Sequence, residues 1–247
     1  SDVLDMATGN YDSASHEADE NDAKTQGLFL PPDHAHKIAF ACGAYPHQAR
    51  PGSLWVYHTS DTYLLGTALN AYLRSLPGRA HADVFDDLLV ADVFRPLGLS
   101  PLMAVTRRTY DAERQPFTGW GLTYHHDDIA RLARFLVAGD GRIGGTVVLD
   151  PSMLATALQR NAQDRGLPAA TLKNFRYQLG FWARDVQPLL GCARPTWVPF
   201  MSGFGGISVV LFPNGIVYYN FADDGQIASF DWGAPARQVR IMSDYCQ

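Results

Sequence analysis

A chain of 247 residues with 47% hydrophobic content can bury a substantial core, as one large domain or as two lobes sharing a cleft, and is too apolar to be disordered over most of its length. A formal net charge of -5, with no cluster of Lys and Arg, argues against a nucleic-acid surface, because phosphate binding needs concentrated positive charge; a neutral or small substrate fits better. No run approaches the roughly 20 apolar residues that cross a bilayer, and the amino terminus, Ser1-Asp2-Val3-Leu4-Asp5, has no basic and then apolar signal segment, so membrane insertion is not expected and the compartment stays open. Cys42, Cys192 and Cys246 are widely separated, show no Cys-x-x-Cys spacing and leave an odd one over. They are expected to be buried free thiols, with neither a zinc site nor a disulfide framework.

In chain order, Val3 to Tyr11 reads as the end of a helix stopped by Gly9, with no helix start before it. Residues 12 to 27, with Glu17, Asp19, Glu20 and Asp22, read as an exposed acidic loop. A short helix is expected from Asp33 to Cys42, after Pro31-Pro32 and before Gly43. The turn Pro51-Gly52 then delivers Tyr57 to the mouth of an amphipathic helix. In that helix Leu64, Leu65, Ala68, Leu69, Tyr72 and Leu73 recur at the spacing of one buried face, and Pro77-Gly78 stops the run.

Another helix is expected over Val84 to Phe94, closed by Arg95-Pro96-Leu97-Gly98-Leu99. Gly119 to Phe135 combines a glycine-rich approach with a helix whose first turn carries Asp127 and Asp128, on the side that favours negative charge. Gly139 to Gly145 reads as a loop, Thr146 to Leu149 as a short strand, and Asp150-Pro151 opens a helix to about Arg160. After Lys173 the period turns from helical to alternating. Tyr177 to Ala183, Ile207 to Phe212 and Ile216 to Phe221 are strand-like, with a hairpin signal at Pro213-Asn214-Gly215, and a last helix runs from Pro235 to about Tyr245. The class is α+β: a mostly helical region over 1–172, then an antiparallel sheet and carboxy-terminal helix over 173–247, sharing one cleft.

Pro51-Gly-Ser-Leu-Trp-Val-Tyr57-His-Thr59 with Leu64-Leu65-Gly66 resembles the second motif of the penicillin-binding-protein and class C β-lactamase superfamily of serine hydrolases. There Pro-Gly and an aromatic strand lead into Tyr-x-Asn or Tyr-x-Ser and then Leu-Leu-Gly. Pro96-Leu97-Gly98 and Asp128-Ile-Ala-Arg-Leu-Ala-Arg-Phe135 resemble further segments of that family, and Phe200-Met201-Ser202-Gly203-Phe204-Gly205-Gly206 resembles its third motif, Lys-Thr-Gly or His-x-Gly followed by glycines. The resemblance implies a β-lactamase/transpeptidase-like fold, a small-molecule ester or amide substrate, and no cofactor. It also implies a periplasmic or secreted location.

Carried over residue by residue, it makes Tyr57 a general base, since a phenol beside a lysine ammonium loses its proton more readily. The Phe204 amide becomes an oxyanion donor, and Thr59, Trp120, Met201, Ser202 and Gly203 become substrate contacts. Taken singly, Tyr57 also reads as a core aromatic with one hydroxyl partner, Thr59 as a helix cap, and the glycines as a bulge or close packing. Thr59 replaces the family's Asn or Ser and Met201 its Lys or His. Both departures tilt the reading away from β-lactam hydrolysis, toward an esterase or a 6-aminohexanoate-dimer-hydrolase-like branch.

The first motif, Ser-x-x-Lys, is absent. The three lysines are Lys24, Lys37 and Lys173, and Asn21, His34 and Ala170 stand three residues before them. A Gly-x-Ser-x-Gly elbow is lacking too. The sequence therefore reads as the carboxy-terminal portion of a serine hydrolase whose nucleophile comes from an upstream segment of the same protein, and this chain alone is expected to be inactive. Two rivals stand: a noncatalytic β-lactamase-like binding module, and an unrelated α+β interaction domain. His34, His36 and His47, like His125-His126 with Asp127-Asp128, lack spacings that converge on one ion, and no metal site is expected.

Overall fold

The computed structural model describes residues 2–15, 18–169, 172–222 and 230–246. The chain divides into two compact units, Ser1–Asp128 with Ala169–Thr171 and Ile129–Pro168 with Leu172–Gln247. The first is mostly helical and the second is built on a sheet.

In the first unit, residues 2–6 make turns rather than the end of a helix, and the segment then runs alongside 47–56. Asn10 bridges His47, the Gly52 amide donates to the Ala7 carbonyl at 2.8 Å, and the Val56 amide donates to the Met6 carbonyl at 2.8 Å. Gly9 serves this pairing and not a helix stop: at φ 81° a Cβ there would meet the Ala49 carbonyl oxygen at 1.9 Å, which no side chain survives. Helix α1 is Gln26–Phe29. Helix α2, His34–Gly43, starts where the Pro-Pro and Asp signals place it, with the Asp33 carboxylate accepting from the His36 amide.

Helix α3 is Thr59–Ser75, but it buries a different face from the one its leucines suggest. Thr59, Tyr63, Gly66, Asn70 and Leu73 are buried, whereas Leu69 and Tyr72 are exposed. Close approach and hydrogen bonds select the polar face. The Asn70 amide donates to Gln115 Oε1 at 2.9 Å and its carbonyl accepts from the Val84 amide at 2.6 Å. Gly66 lies so near Thr118 that a Cβ would sit 2.4 Å from its side chain. The next helical segment, Val84–Phe94, is a π-helix, started by Asp83, whose carboxylate accepts from the Phe85 and Asp86 amides.

Helix α4 is His126–Val137. Beyond it a two-stranded hairpin pairs β1, Arg142–Ile143, with β2, Thr146–Val147. Helix α5, Pro151–Ala157, is capped by the Asp150 carboxylate, which accepts from the Ser152 and Met153 amides. It stops short of Arg160 because Gln159 turns left-handed at φ 59°.

The sheet is a consecutive antiparallel meander: β3 Leu167–Pro168, β4 Phe175–Gln178, β5 Phe181–Asp185, β6 Trp197–Gly203, β7 Ile207–Leu211 and β8 Val217–Phe221. The expected strand Tyr177–Ala183 is in fact two, because Leu179 and Gly180 take φ 49° and 84° and fold a two-residue hairpin that sets Gln178 opposite Phe181. A short helix α6, Gln187–Leu190, precedes β6, and α7, Gly233–Met242, follows the sheet. Phe200 on β6 is fully buried, its ring 5.4 Å from Trp232, 5.8 Å from Phe230 and 6.2 Å from Trp182 between centroids.

The cysteines depart from expectation. Cys192, after α6, and Cys246, after α7, form a disulfide across 54 residues of sequence, with Cα atoms 5.1 Å apart, and Cys42 is exposed. The pairing depends on where α7 returns the chain, which cysteine spacing does not report. Closing a loop of that length restricts the unfolded chain by about 4 kcal/mol in the entropic account. No described helix is long and apolar enough to cross a membrane.

Candidate functional site

In the first unit the approach to α3 is an extended strip. Gly52 turns it at φ 78°, Trp55 and Val56 are buried, and Tyr57 is half-buried, its ring 6.3 Å from that of Trp55. Helix α3 then starts without a local cap, since the His58 side chain makes no capping bond. A carboxylate from 39 positions upstream takes that role. The Thr59 amide donates to Glu20 Oε2 at 3.0 Å and the Thr59 hydroxyl donates to Glu20 Oε1, placing negative charge on the positive helix end.

His58 is free to turn away from the helix because it has its own partner. Its Nε2 lies 3.1 Å from Asp19 Oδ2, with both residues almost wholly buried. Asp19 also accepts from the Asp12 and Ser13 amides at 2.8 Å each. Tyr45 stacks on the His58 ring at 4.3 Å and donates its hydroxyl to the Asp19 carbonyl. Burial lowers the His58 pKa below the ordinary imidazole value, against the opposing pull of Asp19. Burial also raises the Asp61 carboxyl, in the first turn of α3, to about 7, with Glu20 adding repulsion. Its Oδ2 has no hydrogen-bond partner among the described residues.

Trp120 belongs to the same unit. Gly119 presses on the start of α3, where a Cβ would meet Thr62 Oγ1 at 2.4 Å and Thr59 Cγ2 at 2.7 Å. The indole that follows packs 4.5 Å from Phe117 and 5.0 Å from Phe29. Under these rings lies Lys37, fully buried, its ammonium donating to the Leu28 carbonyl and standing 4.8 Å from the Phe117 ring centroid and 5.6 Å from that of Trp120. Burial lowers the Lys37 pKa, opposed by Asp33. The structure thus brings Thr59 and Trp120 to one neighbourhood, joined through Gly119.

In the second unit Met201, Ser202 and Gly203 end β6, facing Val209, Ser208 and Ile207 across the ladder. Phe204 opens the turn into β7 with its side chain 83% exposed. Gly205 and Gly206 take φ 85° and 75°, which permits the tight reversal.

No protein-family model matches the sequence, and no curated protein matches it. Solved structures do match. A Bacillus anthracis protein assigned as a 6-aminohexanoate-dimer hydrolase aligns over 97% of this chain with a TM-score of 0.64 and 16% identity. Unliganded simvastatin synthase from Aspergillus terreus aligns over 100% of it with a TM-score of 0.57 and 16% identity. A penicillin-binding-protein homologue from Caulobacter crescentus aligns over 96% with a TM-score of 0.53 and 16% identity. The fold is that of the β-lactamase/transpeptidase-like proteins. This chain spans 59%, 68% and 70% of those three chains.

Asp19, Glu20 and His58, which anchor the start of α3, were not singled out from sequence. Asp19 and Glu20 lie in the stretch read as an exposed acidic loop, of which Glu17 falls outside the described residues. Instead Asp19 is 4% exposed and Glu20 caps α3. Thr59, which the sequence offers as a cap, is instead the first residue of α3, and the His58 before it makes no capping bond, so the first amides of the helix need an acceptor from elsewhere.

Proposed function

We propose that this chain carries the tyrosine and oxyanion portions of a serine hydrolase that cleaves an ester or amide through an acyl-enzyme, with the nucleophile supplied by a segment outside these residues. The observation that carries the reading is the anchoring of α3. The backbone on either side of the Tyr57 side chain is held by buried Trp55 and Val56 before it and by the Asp19–His58 and Glu20–Thr59 bonds after it. A general base must be held in this way to meet its proton. In this reaction a serine Oγ adds to the substrate carbonyl while Tyr57 takes its proton, and the oxyanion accepts from the Phe204 amide. Collapse expels the alcohol or amine, which leaves with the proton from Tyr57. Water then repeats the sequence on the acyl-serine and releases the acid. The Cys192–Cys246 disulfide supports an oxidising compartment, in keeping with a periplasmic or secreted enzyme.

A second reading, a noncatalytic binding module, draws support from two positions. Met201 brings no charge where the family carries Lys or His, and Thr59 spends both its amide and its hydroxyl on Glu20. Treating the natural gene product with a fluorophosphonate and mapping the adduct by mass spectrometry separates the two. The hydrolase reading expects one labelled serine in a Ser-x-x-Lys context outside these residues. Absence of any adduct on active-site serines favours the binding module.

A further inference from the structure

A cavity of about 610 Å³ opens within the second unit, a size that suits a small organic ligand. Its walls combine the Trp197 and Pro199 end of β6 with the Leu211–Gly215 end of the β7–β8 hairpin. Gly203 and Phe204 stand at the other end of β6, six residues or roughly 20 Å away along the strand. Arg160 and Arg165 line the cavity, and among the described residues no acidic side chain does.

The charge there is unbalanced. Arg165 and Arg176 hold their guanidinium carbons 5.8 Å and 5.9 Å from the Trp197 ring centroid, and the charge of Arg176 acts against that of Arg165. Among the described residues neither makes an ion pair. Both donate to carbonyls, Arg165 to Gln159 and Arg176 to Gly166. The carboxylate acting on Arg165 from a distance is Asp185, whose Oδ1 is occupied by the Gln187 and Thr196 amides. Arg160 pairs with Asp140.

Gln159 adds an independent sign. It lines the cavity with a left-handed backbone at φ 59°, and it is 4% exposed. Neither its Oε1 nor its Nε2 is hydrogen-bonded among the described residues. A buried amide without hydrogen bonds costs free energy that a polar ligand in the cavity can recover.

We propose that this cavity binds a small organic carboxylate with a planar apolar body. The carboxylate would sit on the Arg165 fork and accept from Gln159 Nε2 once that side chain turns toward it, and the body would lie against Trp197 and the proline walls. The proposal stands apart from the acyl-transfer reading, because it uses none of the same residues.

The test is a titration of ¹⁵N-labelled protein followed through the tryptophan indole resonances, with Trp197 assigned from W197F. Benzoate is the probe, with benzamide and inorganic phosphate as controls for the charge and for the planar body. The expected result is a saturable shift of the Trp197 resonance by benzoate alone, weakened roughly tenfold or more in R165Q while the thermal melt of that variant stays cooperative. No saturable shift with benzoate, or equal shifts with benzamide or phosphate, would overturn the proposal. These wild-type arms decide the matter even if R165Q fails to fold.

Discussion

Around α3, position is set by charged and polar side chains that reach across the sequence: Asp19 to His58, Glu20 to Thr59, Asn70 to Gln115 and Val84. Around the β6–β7 turn, position is set by the strand ladder and by an aromatic core under Phe200, and the turn itself is glycine backbone with Phe204 exposed. The contrast has a physical consequence. The first arrangement depends on protonation and on single carboxylates, whereas the second depends on apolar volume and is indifferent to pH between the carboxyl and tyrosine ranges.

The largest break in the comparison comes from the apolar side. Phe200→Ala empties the centre of the second unit and should cost about 4 kcal/mol in urea unfolding, by the same amount at pH 5 and pH 8. Asp19→Ala attacks the other side. It removes the acceptor for His58 and for two amides and should cost about 3 kcal/mol; amide exchange would show the loss in α3 rather than in β6. A loss under 1 kcal/mol would mean that the buried pair contributes little.

Asp61 sharpens the comparison through pH. Folded, it keeps its proton to about 7, whereas the unfolded carboxyl releases it near its ordinary 3.8. Between those values the folded state binds more protons, so stability falls as pH rises from about 4 to about 7 and is level above. At about 1.4 kcal/mol for each unit, the fall is on the order of 2 kcal/mol once water entry and relaxation offset part of it. Asp61→Asn should flatten that decline. His58 acts with the opposite sign: its folded pKa lies below 6.5, so stability is lost as pH falls through the ordinary imidazole range toward that lowered value. Chemical unfolding of wild type and Asp61→Asn across pH 4 to 8 checks the two slopes, the His58 slope being the one that remains in the variant. The smallest effect belongs to Phe204→Ala, within about 0.5 kcal/mol, because its side chain is in solvent and the variant keeps the amide.

The elements that could be read from sequence were those with local causes. Asp33 before α2, Asp150-Pro151 before α5 and Pro213-Asn214-Gly215 between β7 and β8 act within four residues of themselves, and the structure places each where its signal stands. What escaped depends on distant partners. The apolar pattern of α3 pointed at Leu69 and Tyr72, but Asn70 and Gly66 answer to Gln115 and Thr118, 45 and 52 positions on. Asp19 looked like loop charge until His58 was beside it. Cys192 and Cys246 meet only because α7 turns back. Of the candidate site, Tyr57 and the Gly203–Phe204 turn were legible as motif positions, while the groups that hold Tyr57 in place were not.

The central claim, that Tyr57 moves the proton in acyl transfer, is tested most directly by the pre-steady-state release of p-nitrophenolate from p-nitrophenyl acetate. The natural gene product should be compared with its Tyr57→Phe variant after both show the same cooperative unfolding. The account expects a burst whose rate falls by roughly 10² to 10⁴ in the variant. An equal burst rate in the two proteins would contradict it.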